Sequence, residues 1–270
     1  MTNAMQLQDK VAVVLGVAAN NLGHAIARRF VAEGARVVVG GRRAEPLAEA
    51  AAEIGVVAVP CDITRDDEVD RLVATALERF GRLDVGLNAT GWGLLKAFTE
   101  HSREDLEQMA QVQFIGPFRF FQALIKAMAQ GGSIIQISSV TATIMFDHHA
   151  AYMGTKAGID HVIRCIAHEF GHLGIRANSL SPGGIADTPM SGGGLHFPPV
   201  AELYNKQIPL GRPGVAADVV NAAVWLASDQ SAFVTGQNIQ VSGGQTLRTN
   251  PRLTEIAAAA GAGSSPHPGS

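Results

Sequence analysis

Seven short runs of mostly apolar residues punctuate the chain, at positions 10–15, 36–39, 56–59, 83–87, 133–137, 175–180 and 238–241. Each is long enough for a β-strand buried on both faces and too short for a typical helix. The segments between them follow a different period. Apolar residues three and four apart predict helices over 25–32, 46–54, 66–80, about 103–129, 150–172 and 215–227. In the first of these, Ile26, Phe30 and Val31 are expected to face inward. Gly34 and Gly81 stand where left-handed C-terminal residues close a helix. Ser102, followed by Glu104 and Asp105, has the form of an N-cap with an acidic first turn. Gly116-Pro117 predicts a bend within the helix over 103–129. Residues 182–199, rich in Gly and Pro, read as a loop too long to be a plain connector, with glycines 192–194 as its hinge.

Strand and helix alternate along the chain, which predicts an α/β domain with a seven-stranded parallel sheet, right-handed crossovers and helices on both faces. Composition agrees with a single domain. The chain has 270 residues, 47% of them hydrophobic and 17% charged, enough to bury a large core. A net charge of -3 leaves no electrostatic footprint for nucleic acid or an anionic membrane. No apolar run approaches the ~18 residues of a membrane span. Residues 1–9 form an N-terminal tail without an apolar signal region, so a cytoplasmic protein is expected. Cys61 and Cys165 lack metal-ligand spacing, and His148, His149 and His161 are irregularly placed, so no metal site is expected. Residues 248–270 form an extension of shifted composition, read as low-complexity and disordered beyond Ile256.

The chemistry concentrates at the ends of the predicted strands. Gly16 and Gly23 bracket the turn after the first run, where backbone amides and a helix N-terminus can meet a pyrophosphate. Asn20-Asn21 replaces the usual middle glycine. Asn tolerates positive φ better than most residues. At the end of the second run an acid would bind a ribose 2′-hydroxyl and an arginine a 2′-phosphate. Arg42 and Arg43 stand there, which favours NADP(H). Farther on, Tyr152 and Lys156 lie four apart and share one helical face. An ammonium beside a phenol favours the phenolate.

With Asp62-Ile63, Asn88-Ala89-Thr90-Gly91, Ser139, Asn178 and Pro182-Gly183 in order between and around these motifs, the chain resembles the short-chain dehydrogenase/reductase family in its classical form, over roughly residues 8–247. The resemblance implies a single Rossmann-type doubly wound domain (residues 10–247) that works as an NADP-dependent oxidoreductase. In that family Tyr152 would be the acid/base, Lys156 would lower its pKa and bind the nicotinamide ribose, and Ser139, thirteen residues before the tyrosine, would hydrogen-bond the substrate oxygen. Asp62 and Ile63 would contact the adenine, and Asn88 the ribose. Ala89, Thr90 and Gly91, with Leu22 in the glycine turn, would complete the cofactor wall. Ile185 and Thr188 would hold the carboxamide, after Pro182 and Gly183. Gln113 departs from the family's asparagine, which helps hold a water behind the lysine, and is a candidate relay residue. The enoyl reductase branch spaces its tyrosine and lysine more widely and lacks the serine, so carbonyl–alcohol chemistry is expected.

Trp92, Leu94, Ile144, Met145, Phe146, His148, Met190 and Phe197 are the expected substrate pocket. Their apolar and aromatic character points to a small hydrophobic ketone, aldehyde or secondary alcohol. A homotetramer, or a homodimer, is implied by the resemblance, built through the helices at 103–129 and 150–172. The alternative is a catalytically weak cofactor-binding protein of the same fold, serving as a sensor or scaffold, with Gln113 marking the lost chemistry.

Overall fold

All seven apolar runs become strands. The computed structural model describes residues 5–189, 195 and 197–261. The strands are β1 (Val11–Leu15), β2 (Arg36–Gly41), β3 (Val57–Pro60), β4 (Val85–Asn88), β5 (Gly132–Ile137), β6 (Ile175–Pro182) and β7 (Asn238–Val241). They form one parallel sheet in the order β3-β2-β1-β4-β5-β6-β7. The order reverses between β1 and β4, and that switch point opens a crevice at the carboxyl ends of the strands.

Because strand side chains alternate between faces, the sheet feeds two cores. Ala12, Val14, Val37, Val39, Leu87, Ile135 and Ile137 pack under α1 (Leu22–Ala32), α2 (Ala44–Ile54) and α8 (Ala216–Ala227). Val11, Val13, Leu15, Val38 and Ile134 pack under α3 (Asp66–Phe80), α5 (Gly116–Ala127) and α6 (Ala150–Phe170). Gly34 takes φ +91° just past α1, and Gly81 caps α3 in the left-handed region. Val31 is only partly buried, its outer side left to solvent.

Three segments differ from the sequence expectation. The helix expected over 103–129 is α4 (Arg103–Ala110), a π-helical turn (Gln111–Ile115) and then α5. The irregularity lies immediately before Gly116-Pro117; the backbone stays helical through Ile115 and Gly116, so the missing N–H of Pro117 falls inside a continuous helix, next to the π-helical turn. The loop over 182–199 gives way at its end to α7 (Pro198–Gln207), which again starts on prolines. The C-terminal extension carries α9 (Leu253–Ala259), so the disorder expected beyond Ile256 does not hold for residues 257–259. Met190 and the glycines at 192–194 lie outside the described residues. Among the described residues no helix is long and apolar enough to cross a membrane.

Candidate active site

The first cleft forms at the turn after β1. Gly16 takes φ +97°, and a Cβ there would lie 2.6 Å from the carbonyl carbon of Ala89. A Cβ on Gly23 would lie 2.6 Å from the Gly16 carbonyl oxygen. Only glycine permits both approaches. Asn20 adopts φ 61°, as its amide side chain tolerates. Asn21 does more than replace a glycine. Its Oδ1 caps α1 by accepting from His24 N at 2.9 Å, and also accepts from Ala18 N at 3.3 Å. Its Nδ2 donates to Gly16 O at 2.8 Å. One side chain thus ties both ends of the turn, where Leu15 offers no hydroxyl.

A cleft of about 270 Å3 runs from this turn past Gly41, Arg42, Arg43, Asp62 and Ile63 to Ala89, Thr90, Gly91 and Trp92. Arg42 and Arg43 are exposed and have no acidic partner among the described residues. Asp62 Oδ1 accepts from Thr64 N and Oγ1, fixing the turn after β3. Asn20 and Asn88 do not line this cleft. Asn88 is fully buried behind it, with Nδ2 donating to Gln136 Oε1 at 2.8 Å and Oδ1 accepting from Thr90 N and Oγ1. It shapes the wall that Ala89, Thr90 and Gly91 present. The glycine cradle, the helix N-terminus and the unpaired guanidiniums fit a dinucleotide.

A second, mainly apolar cleft of about 450 Å3 continues from the first, sharing Asn21 and Ala89. Leu22, Gly23, Ser138, Ser139, Tyr152, Lys156, Pro182, Gly183, Ile185 and Thr188 all line it. The Ser–Tyr–Lys set is therefore assembled. Ser138 Oγ is committed to Asp160 Oδ2 at 2.8 Å. Ser139 Oγ accepts from Thr141 N and pairs with Thr141 Oγ1 at 2.9 Å; when Thr141 donates, the Ser139 O–H stays free for a ligand. Lys156, 3% exposed, donates from Nζ to Ile137 O at 2.8 Å, and Nζ stands 5.6 Å from the Tyr152 ring centre.

Burial pushes the Tyr152 phenol up to about 12, against a lowering contribution from Ser139, and the Asp160 charge raises it further. Burial brings Lys156 down to about 8, while the Asp160 charge raises it. The protein alone therefore keeps the phenol protonated at neutral pH, in contrast to the lowered value expected from the adjacent ammonium. Asp160 was not singled out from the sequence, yet it lies one turn beyond Lys156, as Lys156 does beyond Tyr152. It also binds Asn238 Nδ2. His149 stacks on the Tyr152 ring at 4.2 Å and pairs through Nδ1 with Leu94 O at 2.9 Å.

Gln113 does not join this group. It is buried in the π-helical turn, and Nε2 donates to Met109 Sδ and to Thr155 Oγ1 at 3.2 Å. Its Oε1 is buried without a partner, and no hydrogen bond joins it to Lys156 among the described residues. The longer stem places the amide across from α6 beside Thr155.

The expected substrate pocket is partly redrawn. Phe146 lines the apolar cleft, while Trp92 lines the first cleft. Leu94, Ile144, Met145, His148 and Phe197 line neither. Met145 and Phe197 point to solvent, being 66% and 46% exposed. His148 takes φ 58° at the bend that turns its side chain outward. Leu95 and Leu195, from two of the loops of the expected lining, stand in the apolar cleft with Val200, Tyr204, Leu253 and Ile256. Val200, Tyr204, Leu253 and Ile256 escaped the sequence reading because α7 and α9 did. The spacing of Leu253 and Ile256, three apart, was the available signal.

Residues 16–246 match a family model described as Enoyl-(Acyl carrier protein) reductase. An uncharacterized oxidoreductase of Mycobacterium bovis is 37% identical over 250 residues, spanning 90% of this chain and 100% of that protein. The 3beta-hydroxysteroid dehydrogenase 1 of Eggerthella lenta is 35% identical, spanning 89% of this chain and 95% of its own. The structure of a short-chain type dehydrogenase/reductase from Mycobacterium ulcerans superposes with a TM-score of 0.87 at 32% identity, covering 90% of this chain and 92% of that one. With the doubly wound sheet, the glycine turn and the Ser–Tyr–Lys set in place, the chain belongs to the short-chain dehydrogenase/reductase family, oxidoreductases that work with NAD or NADP.

Proposed function

We propose that the protein is an NADP(H)-dependent oxidoreductase that interconverts a hydrophobic ketone or aldehyde and its alcohol. The observation that carries this reading is the convergence of Ser139, Tyr152 and Lys156 on one apolar cleft, continuous with the glycine-turn cleft through Asn21 and Ala89. NADPH, when bound, supplies the hydride. Arg42, supported by Arg43, holds its 2′-phosphate, since both are free of acids at the end of β2. Gly16, Asn21 and Gly23 present the helix N-terminus to the pyrophosphate. Tyr152 stays protonated at neutral pH and gives its proton to the substrate oxygen as negative charge develops there. Ser139 donates a hydrogen bond to the same oxygen. Lys156, anchored on Ile137 O, supplies the adjacent positive charge. Reduction is the direction that a raised phenol favours. A cytoplasmic location and a homotetramer belong to the same proposal. For assembly, the apolar groove between α5 and α6, lined by Phe118, Phe121, Ile125, Val162, Cys165 and Phe170, supports a second copy as the occupant.

Purified protein is mixed with NADPH and a panel of neutral hydrophobic ketones, a steroid ketone among them because of the Eggerthella lenta relative. Loss of NADPH absorbance is expected. Tyr152→Phe keeps NADPH binding and loses at least ~100-fold in kcat, the usual worth of a general acid. Gln113, whose amide is engaged with Met109 and Thr155, favours a second reading, a cofactor-binding sensor without turnover. Tight NADPH binding with no oxidation across the panel would establish that instead.

A further inference from the structure

The chain beyond β7 is tied to the walls of the apolar cleft. Gln245 is fully buried, accepts from Gly184 N at 3.1 Å and donates to Asn250 Oδ1 at 2.6 Å. Asn250, 6% exposed, donates through Nδ2 to Met145 O at 3.0 Å. Asp147 Oδ2 accepts from Leu253 N at 3.2 Å and pairs with Arg252 Nε at 3.0 Å. A carboxylate at the first turn of α9 also complements the helix dipole. The extension is thus fastened to the loop after β6 and to the loop between Ser139 and Tyr152.

The fastened helix turns its apolar stripe toward the catalytic group. Leu253 and Ile256, three apart on one face of α9, line the same cleft as Ser139 and Tyr152. They belong to neither sheet core and are only partly covered. Helix α7 packs beside α9 and contributes Val200 and Tyr204 to the cleft. A helix serving only stability would bury these two side chains in a core. Here they meet the space that a substrate needs.

Resting on the carbonyl-reductase reading above, we propose that the C-terminal segment is a latched specificity wall. Asp147 and the Gln245–Asn250 pair hold α9 in place, and Leu253 and Ile256 set the largest neutral apolar carbonyl that reaches Tyr152. The latch also couples the wall to the loop at 145–147, so releasing one releases the other.

The test uses the full chain and a series of neutral ketones that grow from cyclohexanone to fused-ring ketones, with NADPH. The Leu253→Ala/Ile256→Ala variant is expected to raise the kcat/KM ratio of bulky to compact ketones by ~10-fold or more, the scale of one or two methylenes in a tight pocket. Asp147→Ala and Arg252→Ala move the ratio the same way, less far, and speed hydrogen exchange over residues 253–259. NADPH binding persists in all of them, because the glycine turn and Arg42, which would hold its phosphates, lie in the first cleft, which none of these residues lines. Wild type that reduces ketones, together with a folded double variant whose ratio is unchanged, overturns this inference alone. Unchanged exchange in Asp147→Ala overturns the latch. Wild type that reduces no ketone sinks the catalytic reading and this inference with it.

Discussion

Two side chains decide what Tyr152 can do, and each makes a separable prediction. Lys156 sits at about 8 and Tyr152 at about 12, so a rising pH removes the lysine proton first. Reduction should therefore decline as pH rises through about 8. Asp160 is the anion that holds the Lys156 charge up. In Asp160→Asn that support is gone, Lys156 loses its proton earlier, and the alkaline limb of kcat/KM should move to lower pH. Asp160→Glu should restore it. An unmoved limb with only a lower melting temperature would make Asp160 a structural residue. At the other end of the cleft, Arg42→Ala should weaken NADPH by ~10–100-fold, the worth of a charge-assisted hydrogen bond, and leave NADH within ~2-fold. Equal losses for both would remove the 2′-phosphate from its role.

At the scale of elements, the glycine turn depends on one amide. Asn21 bonds His24 N, Ala18 N and Gly16 O, so Asn21→Ala should cost about 1–2 kcal/mol in a denaturant titration, at the upper end for an N-cap. A loss under ~0.3 kcal/mol would mean that water replaces the cap. The strands and α3 were legible in the sequence because burial on two faces and a strong amphipathic stripe leave little choice, and Gly81 marks the end. Tyr152 and Lys156 stood out because their spacing is local, whereas Ser139 was singled out from Ser138 by the family resemblance. Three elements were not legible as such. The π-helical turn at Gln111–Ile115 showed only as a bend at Gly116-Pro117, which directly follows it. Pro198-Pro199 suits a loop or a helix start equally. The alanines of α9 resemble low complexity, although alanine is the strongest helix former and lacks only a surface to pack on. Leu94, Ile144 and His148 were misplaced because a loop's facing residues follow no period.

Across the described residues, the two cores cover both faces of the sheet, and a large apolar groove lies between α5 and α6 on the outer side. If copies meet there, Phe118→Glu with Ile125→Glu should lower the mass measured by light scattering from a tetramer to a smaller species, with the fold retained. A variant that stays tetrameric would place the contact elsewhere. The groove carries its own reporter. Cys61 is buried, and burial with nearby acids pushes it up to about 12, which makes it silent toward alkylating dyes at neutral pH. Cys165 is exposed on the lining of the groove. A native thiol titration should then count free subunits: about one label per chain in the charged variant, and close to none while the groove is shared.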